Sequence, residues 1–202
     1  MATKQKMKKK IIKIGFFCLL GVVGLWLSAC NQPYPRPYGY YRIDLTEATY
    51  KKSKTDIPCS FDCSTQAEIT PNSYRKDQKN WIDISYPKLN ANIHCSYKSI
   101  TPAEFRKITE ESRELVYKHT IKAESINERL FENADAHVYG ILYDISGNTA
   151  SPTQFFLTDS VSHFFRGALY FNNLPNFDSI QPVYEFIHKD IIQLIESFSW
   201  KN

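Results

Sequence analysis

The apolar run from Ile14 to Leu27 decides how much of this chain is available to fold. Lys4, Lys6, Lys8, Lys9, Lys10 and Lys13 precede it, and only small residues interrupt it. Its length of about 14 residues spans roughly 21 Å as a helix, too short to cross a ~30 Å hydrocarbon core comfortably. A cationic start followed by a short apolar centre marks an export segment, which is removed before the mature chain packs.

The run closes on Leu27-Ser28-Ala29-Cys30. Small residues before a cut fit a peptidase groove, and a cysteine in the first mature position supplies the thiol that is lipidated. These four positions, in this order after an apolar run, resemble the signal box of bacterial lipoproteins. The sequence therefore predicts a signal segment over residues 1–29, cleavage before Cys30, and attachment to a membrane through lipid on Cys30.

Removing that segment changes the charge argument. The whole chain carries 25 Lys+Arg and 21 Asp+Glu, net +4, but residues 1–29 hold six lysines and no acid. The mature chain keeps 19 basic and 21 acidic side chains, net −2. No electrostatic footprint for nucleic acid remains. The 173 residues from Cys30 onward suffice for one domain with a real core, and no internal repeat is evident.

Asn31 to Tyr40 carries prolines at 33, 35 and 37, which forbid helix and favour an extended polyproline conformation. Residues 30–40 read as a lipidated cysteine plus a Pro-rich tether, semi-rigid at ~3.1 Å per residue. Residues 41–202 read as a single globular domain.

Within the domain, Tyr41–Leu45, Cys59–Cys63, Trp81–Tyr86 and Ala91–Tyr97 alternate apolar and polar residues as short strands do. A helix opens at Thr101, where Thr101-Pro102-Ala103-Glu104 forms a capping box with proline in the first helical position. Phe105, Ile108, Leu115 and Val116 line one face, and the pattern extends through Ile121 and Ile126 to Leu130. Val138–Ile145, Thr153–Thr158 and His163–Phe171 follow as strands joined by short turns, an antiparallel meander. A final helix opens at Asp178 or Ser179 with Val183, Phe186, Ile187, Leu194, Ile195 and Phe198 as its apolar stripe. The expected fold is α+β: an antiparallel β-sheet covered by two main α-helices.

Three cysteines remain besides Cys30: Cys59, Cys63 and Cys95. An exported compartment permits one disulfide and one free thiol. Cys59 and Cys63, four apart, are the candidate pair, and they can bond only if the chain turns between them. No metal site is expected, because the histidines are scattered and the cysteine spacing is not finger-like. No phosphate loop, dinucleotide fingerprint, His-Glu-x-x-His or nucleophile elbow is present, so neither a catalytic residue nor a cofactor is expected. Asp159, Ser160 and His163 bring three triad residue types within five positions. Three side chains on one turn rarely converge as catalysis requires, and a turn whose side chains bond their own backbone is the expected arrangement. His94 and Cys95, adjacent on a strand, point to opposite faces and make a poor ligand pair.

A wider pattern runs through the mature chain. Tyr38 to Leu45, Trp81 to Ile84 with Tyr86-Pro87-Lys88, Ile93-His94 with Ser96-Tyr97-Lys98, and Tyr117-Lys118-His119-Thr120 are its first half. Val138 to Tyr143, Gly147 to Pro152 through Phe155, Thr158-Asp159-Ser160 and Arg166 to Phe171 are its second. In this order they resemble the GldD family of gliding-motility lipoproteins of Bacteroidetes. Cys63 and Cys95 do not match family positions, which weakens any family-wide disulfide. The element order is also similar to PsbP/Mog1-like domains, an analogy of fold that carries no function.

The resemblance implies an accessory lipoprotein required for gliding motility and for type IX secretion, without known catalytic residues. It would stabilise or assemble other gliding and secretion lipoproteins of the envelope. A periplasmic module binding a small ligand or peptide is the alternative. Asn31-Gln32-Pro33 after Cys30 includes no early acidic cluster, unlike the surface-export signals of Bacteroidetes lipoproteins. That places the expected anchor on the periplasmic side, at the outer membrane. The expected contact surface is either the hairpin around Asp144 to Asp159 or the exposed face of the Thr101 helix.

Overall fold

Period-two alternation along the strands gives this chain a sheet with two usable faces. A computed structural model describes residues 45, 47–72, 80–172 and 177–201. The signal box Leu27, Ser28, Ala29 and Cys30, the tether, and the strand expected from Tyr41 lie outside the described residues.

The strands are β1 (Tyr50–Lys52), β2 (Cys59–Ser60), β3 (Asp62–Ser64), β4 (Glu68–Pro71), β5 (Trp81–Tyr86) and β6 (Ala91–Ser99) before the first helix, α1 (Pro102–Tyr117). β7 (Ser125–Asn133), β8 (Val138–Ser146), β9 (Thr153–Thr158) and β10 (His163–Phe171) follow, then α2 (Phe177–Glu196) and β11 (Ser199–Trp200). The main sheet has seven strands in the order β4-β5-β6-β10-β9-β8-β7, every pair antiparallel. The β8-β9-β10 meander is present as the turn spacing predicts. The fold is α+β, an antiparallel sheet covered by two α-helices.

Each face of the sheet packs its own helix. Ile82, Ile84, Ile93, Cys95, Leu142, Phe155, Leu157, Phe165 and Leu169 meet Val183, Ile187, Ile191, Leu194 and Ile195 of α2 in the main core. Burying each such side chain contributes about 1.5–3 kcal/mol before the entropy of ordering it is counted. On the opposite face Tyr143, Ile145, Phe156 and Phe164 pack with Ile100 and Val116 in a smaller cluster under α1. Only Ser112 and Val116 of α1 are buried, so this helix is the lighter cover. β10 lies centrally and buries both faces, with Phe165 and Leu169 toward α2 and Phe164 toward α1.

Close strand approach fixes one glycine. A Cβ on Gly140 of β8 would stand 2.2 Å from the Phe156 carbonyl oxygen of β9. Only hydrogen fits there.

The start of α1 follows its sequence signal. The Thr101 N–H donates to Glu104 Oε2 at 2.9 Å, the return arm of a capping box. Its end does not. The helix stops at Tyr117, a 3-10 turn spans Lys118–Ile121, and Ser125–Asn133 is a strand. Ile126 and Leu130 are four apart and fit a helical stripe, but all nine residues of β7 pair with β8, from Ser125↔Ser146 to Asn133↔Val138. Continuous pairing with a neighbour outweighs local periodicity.

The C-terminus is fixed in place. β11 pairs with β2 through Ser199↔Ser60 and Trp200↔Cys59. β1 pairs with β3, and the Tyr50 hydroxyl of β1 donates to Asp190 of α2 at 2.9 Å.

Candidate functional site

The five residues from Asp159 to His163 form a closed turn. The Asp159 carboxylate accepts backbone N–H groups from Val161 at 3.0 Å, Ser162 at 2.8 Å and His163 at 2.8 Å, and the Ser162 hydroxyl at 2.7 Å. Burial alone would raise its pKa, but the Ser162 hydroxyl and the three amides outweigh burial and hold it at about 2. The Ser160 N–H donates to Thr158 Oγ1 at 2.9 Å, and Ser160 takes a left-handed φ of 66°. His163 turns away from both. Its Nδ1 lies 2.7 Å from the Tyr97 hydroxyl and its ring stacks on Trp200 at 4.9 Å between centroids. Asp159, Ser160 and His163 thus make a backbone turn and not a triad.

The structure does not form the candidate Cys59–Cys63 bond. Cys59, Cys63 and Cys95 are all free, buried thiols. β2 and β3 run on through Phe61 without a turn, and four extended residues place Cα atoms roughly 13 Å apart, well beyond the ~7 Å limit for a bridge. Burial raises the Cys59 thiol to about 12 and Cys63 to about 11, and Cys95 is pushed up by the same cause. Such thiols stay protonated and unreactive.

The hairpin around Asp144 to Asp159 is a poor contact surface. Thr149, Ser151 and the whole of β9 are buried, because β9 is flanked by β8 and β10 and covered on both faces. Exposure concentrates instead on α1 and the strand after it. β7 is an edge strand, and Leu130 on it is 80% exposed. Leu115 and Ile121, at and just beyond the end of α1, are exposed as well. The Tyr117 hydroxyl donates to Glu128 Oε1 at 2.8 Å, which ties the end of α1 to β7.

A cleft of about 770 Å³ opens between α1 and the sheet. Trp81, Ser96, Lys98, Phe164 and Arg166 line it from the strands, and Ile108, Glu111, Ser112 and Leu115 from α1. Arg166 Nη2 donates to Gln154 Oε1 at 2.6 Å, while its Nε is buried without a partner. Burial pulls its pKa below the ordinary value, with Tyr170 and Cys95 opposing. A second cavity of about 480 Å³ shares Trp81 and Arg166 with the first and adds Asn72, His94 and Tyr170. There His94 Nδ1 lies 2.7 Å from Asp83 Oδ1, and Asn72 Nδ2 donates to the same oxygen at 2.8 Å.

His94 and Cys95 do point to opposite faces, and His94 finds Asp83 on the next strand. The register Asp83↔His94 brings the two together. The signal for it lies in the spacing of Trp81–Tyr86 and Ala91–Tyr97 about the Pro87–Asn90 turn, once these strands are taken as a hairpin. Arg166 escaped notice because nothing in sequence distinguishes an inward arginine on a central strand from an outward one.

None of the curated proteins compared matches the chain significantly. Among solved structures, the chain is similar to the solution structure of PsbP (CyanoP) from Synechocystis sp. PCC 6803. That match has 9% identity and a TM-score of 0.44, and it covers 82% of this chain and 99% of that one. The family model described as gliding motility lipoprotein GldD matches residues 30–200. A match over nearly everything from Cys30 onward shows that this chain belongs to the GldD family of gliding motility lipoproteins.

Proposed function

We propose that this lipoprotein serves gliding motility and type IX protein secretion without catalysis, by stabilising or assembling partner lipoproteins of the envelope. The observation that carries the reading is the face formed by β7 and the end of α1. β7 is nine residues long and ends the sheet, so its outer backbone groups have no neighbouring strand among the described residues. Exposed Leu130, with Leu115 and Ile121 nearby in sequence to Tyr117, adds apolar area. Such an edge accepts a strand from another chain by main-chain hydrogen bonding. Glu128, Arg129 and Glu132 along it disfavour pairing with a second copy in the same register and leave charge to select the partner.

The anchor in this reading is lipid on Cys30, after removal of residues 1–29. The family match beginning at Cys30 supports it. Among the described residues no helix is long and apolar enough to cross a membrane. Residues 30–40 act as tether and 41–202 as the folded domain, on the periplasmic side of the outer membrane. Protease added to intact cells should leave the protein uncut, and its digestion would contradict that placement.

The test of function uses Leu130→Asp combined with Ile121→Asp. Both side chains are exposed, so folding and abundance should hold. Expected is loss of co-purifying envelope lipoproteins, together with loss of gliding and type IX export. Full restoration of both processes by the double variant would overturn the docking face.

A further inference from the structure

The sheet face under α1 carries a cation with no anion to answer it among the described residues. Buried charges are ordinarily paired, because an unpaired one is costly to desolvate. Among the described residues, no carboxylate forms an ion pair with Arg166. Among the described residues its one hydrogen-bond partner is the neutral carboxamide of Gln154, and its Nε has none. Gln154 is itself 1% exposed, and its Nε2 is buried and unpartnered too. Arg166, with its unmet Nε, lines both the larger cavity and the smaller, which share it and Trp81.

The walls set the chemistry of what would fit. A cavity of about 770 Å³ is within the range of small-molecule sites, and Trp81, Ile108 and Phe164 give it apolar sides. Lys98 and Glu111 also line it and offset one another, so Arg166 leaves a balance of one positive charge. One guanidinium matches a carboxylate, whereas a phosphoryl dianion would stay half-neutralised in a partly desolvated cleft.

We propose that the cleft between α1 and the sheet binds a small organic carboxylate, its anionic end on Arg166 and its apolar body against Trp81, Ile108 and Phe164. The site lies beneath α1 and shares Leu115 with the docking face, but neither Leu130 nor Ile121 lines it, so ligand binding and partner docking can be lost separately.

Titration of the full lipoprotein in detergent with 3-phenylpropionate, 3-phenylpropanamide and phenyl phosphate tests this, read from the Arg166 side-chain N–H resonance. The acid should bind and move that resonance, with the amide at least about tenfold weaker and phenyl phosphate weaker than the acid. Arg166→Gln should weaken acid binding about tenfold or more. Glu111→Gln, at an exposed position on the α1 wall of the cleft, should tighten it by removing a like charge, and does not depend on a buried substitution being tolerated. Equal binding of acid and amide would overturn the proposal. So would preference for the phosphate, no binding by the folded protein at about 1 mM, or weaker binding by Glu111→Gln.

Discussion

The Tyr86 hydroxyl donates to Asp190 Oδ2 at 3.0 Å, joining the sheet to α2 inside the main core. Tyr50 donates to Oδ1 at 2.9 Å, and Asp190 is 4% exposed. Burial raises the Asp190 carboxyl above its ordinary pKa, and the hydroxyls of Tyr50, Tyr86 and Ser64 pull it back only in part. Burial and the nearby carboxylate push the phenols up in turn, Tyr50 to about 12. Tyr86→Phe should therefore cost about 1–3 kcal/mol, since it takes a donor from a buried acceptor. Urea unfolding at neutral pH, read as a lowered midpoint at constant slope, checks it.

The same carboxylate gives a pH dependence whose sign is fixed. With its folded pKa above the unfolded value of about 3.9, the native state holds the proton longer. Its stabilising contribution is complete below the unfolded pKa and is lost as pH rises through the folded one. Asp190→Asn should remove that loss, so wild type should weaken relative to the variant as pH rises above about 4. Parallel stability curves for the two proteins would refute the assignment.

Asp159 runs the opposite way. Its folded pKa, at about 2, lies below the unfolded value, so its contribution is present at neutral pH and lost as pH falls. Asp159→Asn should destabilise by about 1 kcal/mol at pH 7, a figure kept small by partial solvent screening. The deficit should close between about pH 4 and pH 2. Ser160→Ala, in contrast, should leave gliding and export intact. A folded, normally abundant Ser160→Ala protein that fails in export would revive a catalytic role for this turn.

Gly140→Ala makes a prediction of sign. Replacing glycine with alanine on an unstrained strand stabilises by about 0.4–1 kcal/mol through the unfolded state. Here the added methyl would meet the Phe156 carbonyl and force β8 from β9. The expected result is a loss of about 1–3 kcal/mol, seen as a lower midpoint in thermal or chemical unfolding.

Cys30→Ala should yield a protein that membrane fractions no longer retain. Mass spectrometry of the wild-type mature N-terminus is the direct measurement. An unmodified Cys30, or an intact segment over residues 1–29, would end the anchoring argument.

Much of the sheet was legible because its strands carry their pattern locally. β5, β8, β9 and β10 lie within a residue of where alternation and turn residues put them. α1 was legible at its start, where Thr101 and Glu104 supply a chemical cap, and illegible at its end, where no glycine or proline follows Tyr117 to stop the pattern. β7 was hidden because an exposed edge strand has little apolar alternation to display, its residues being fixed by pairing with β8. The Arg166 cleft was hidden for a different reason. It depends on Trp81 of β5 and Arg166 of β10 lining one cleft across β6, with Gln154 of β9 bonded to Arg166, and only register brings them together.

The bond from Tyr50 to Asp190 has a mechanical consequence. Were lipid attached at Cys30 as proposed, a pull on it would reach the described domain from its N-terminal side, at Thr49, which bonds Thr65, and then at β1. β1 and β3 share only three residue pairs, little to resist a pull. The Tyr50 hydroxyl would pass part of that load straight to α2, the helix at the centre of the main core, 140 positions further along the chain. Force on such an anchor would thus be borne early by the most deeply packed helix, and the thin β1–β3 ribbon would not have to carry it alone.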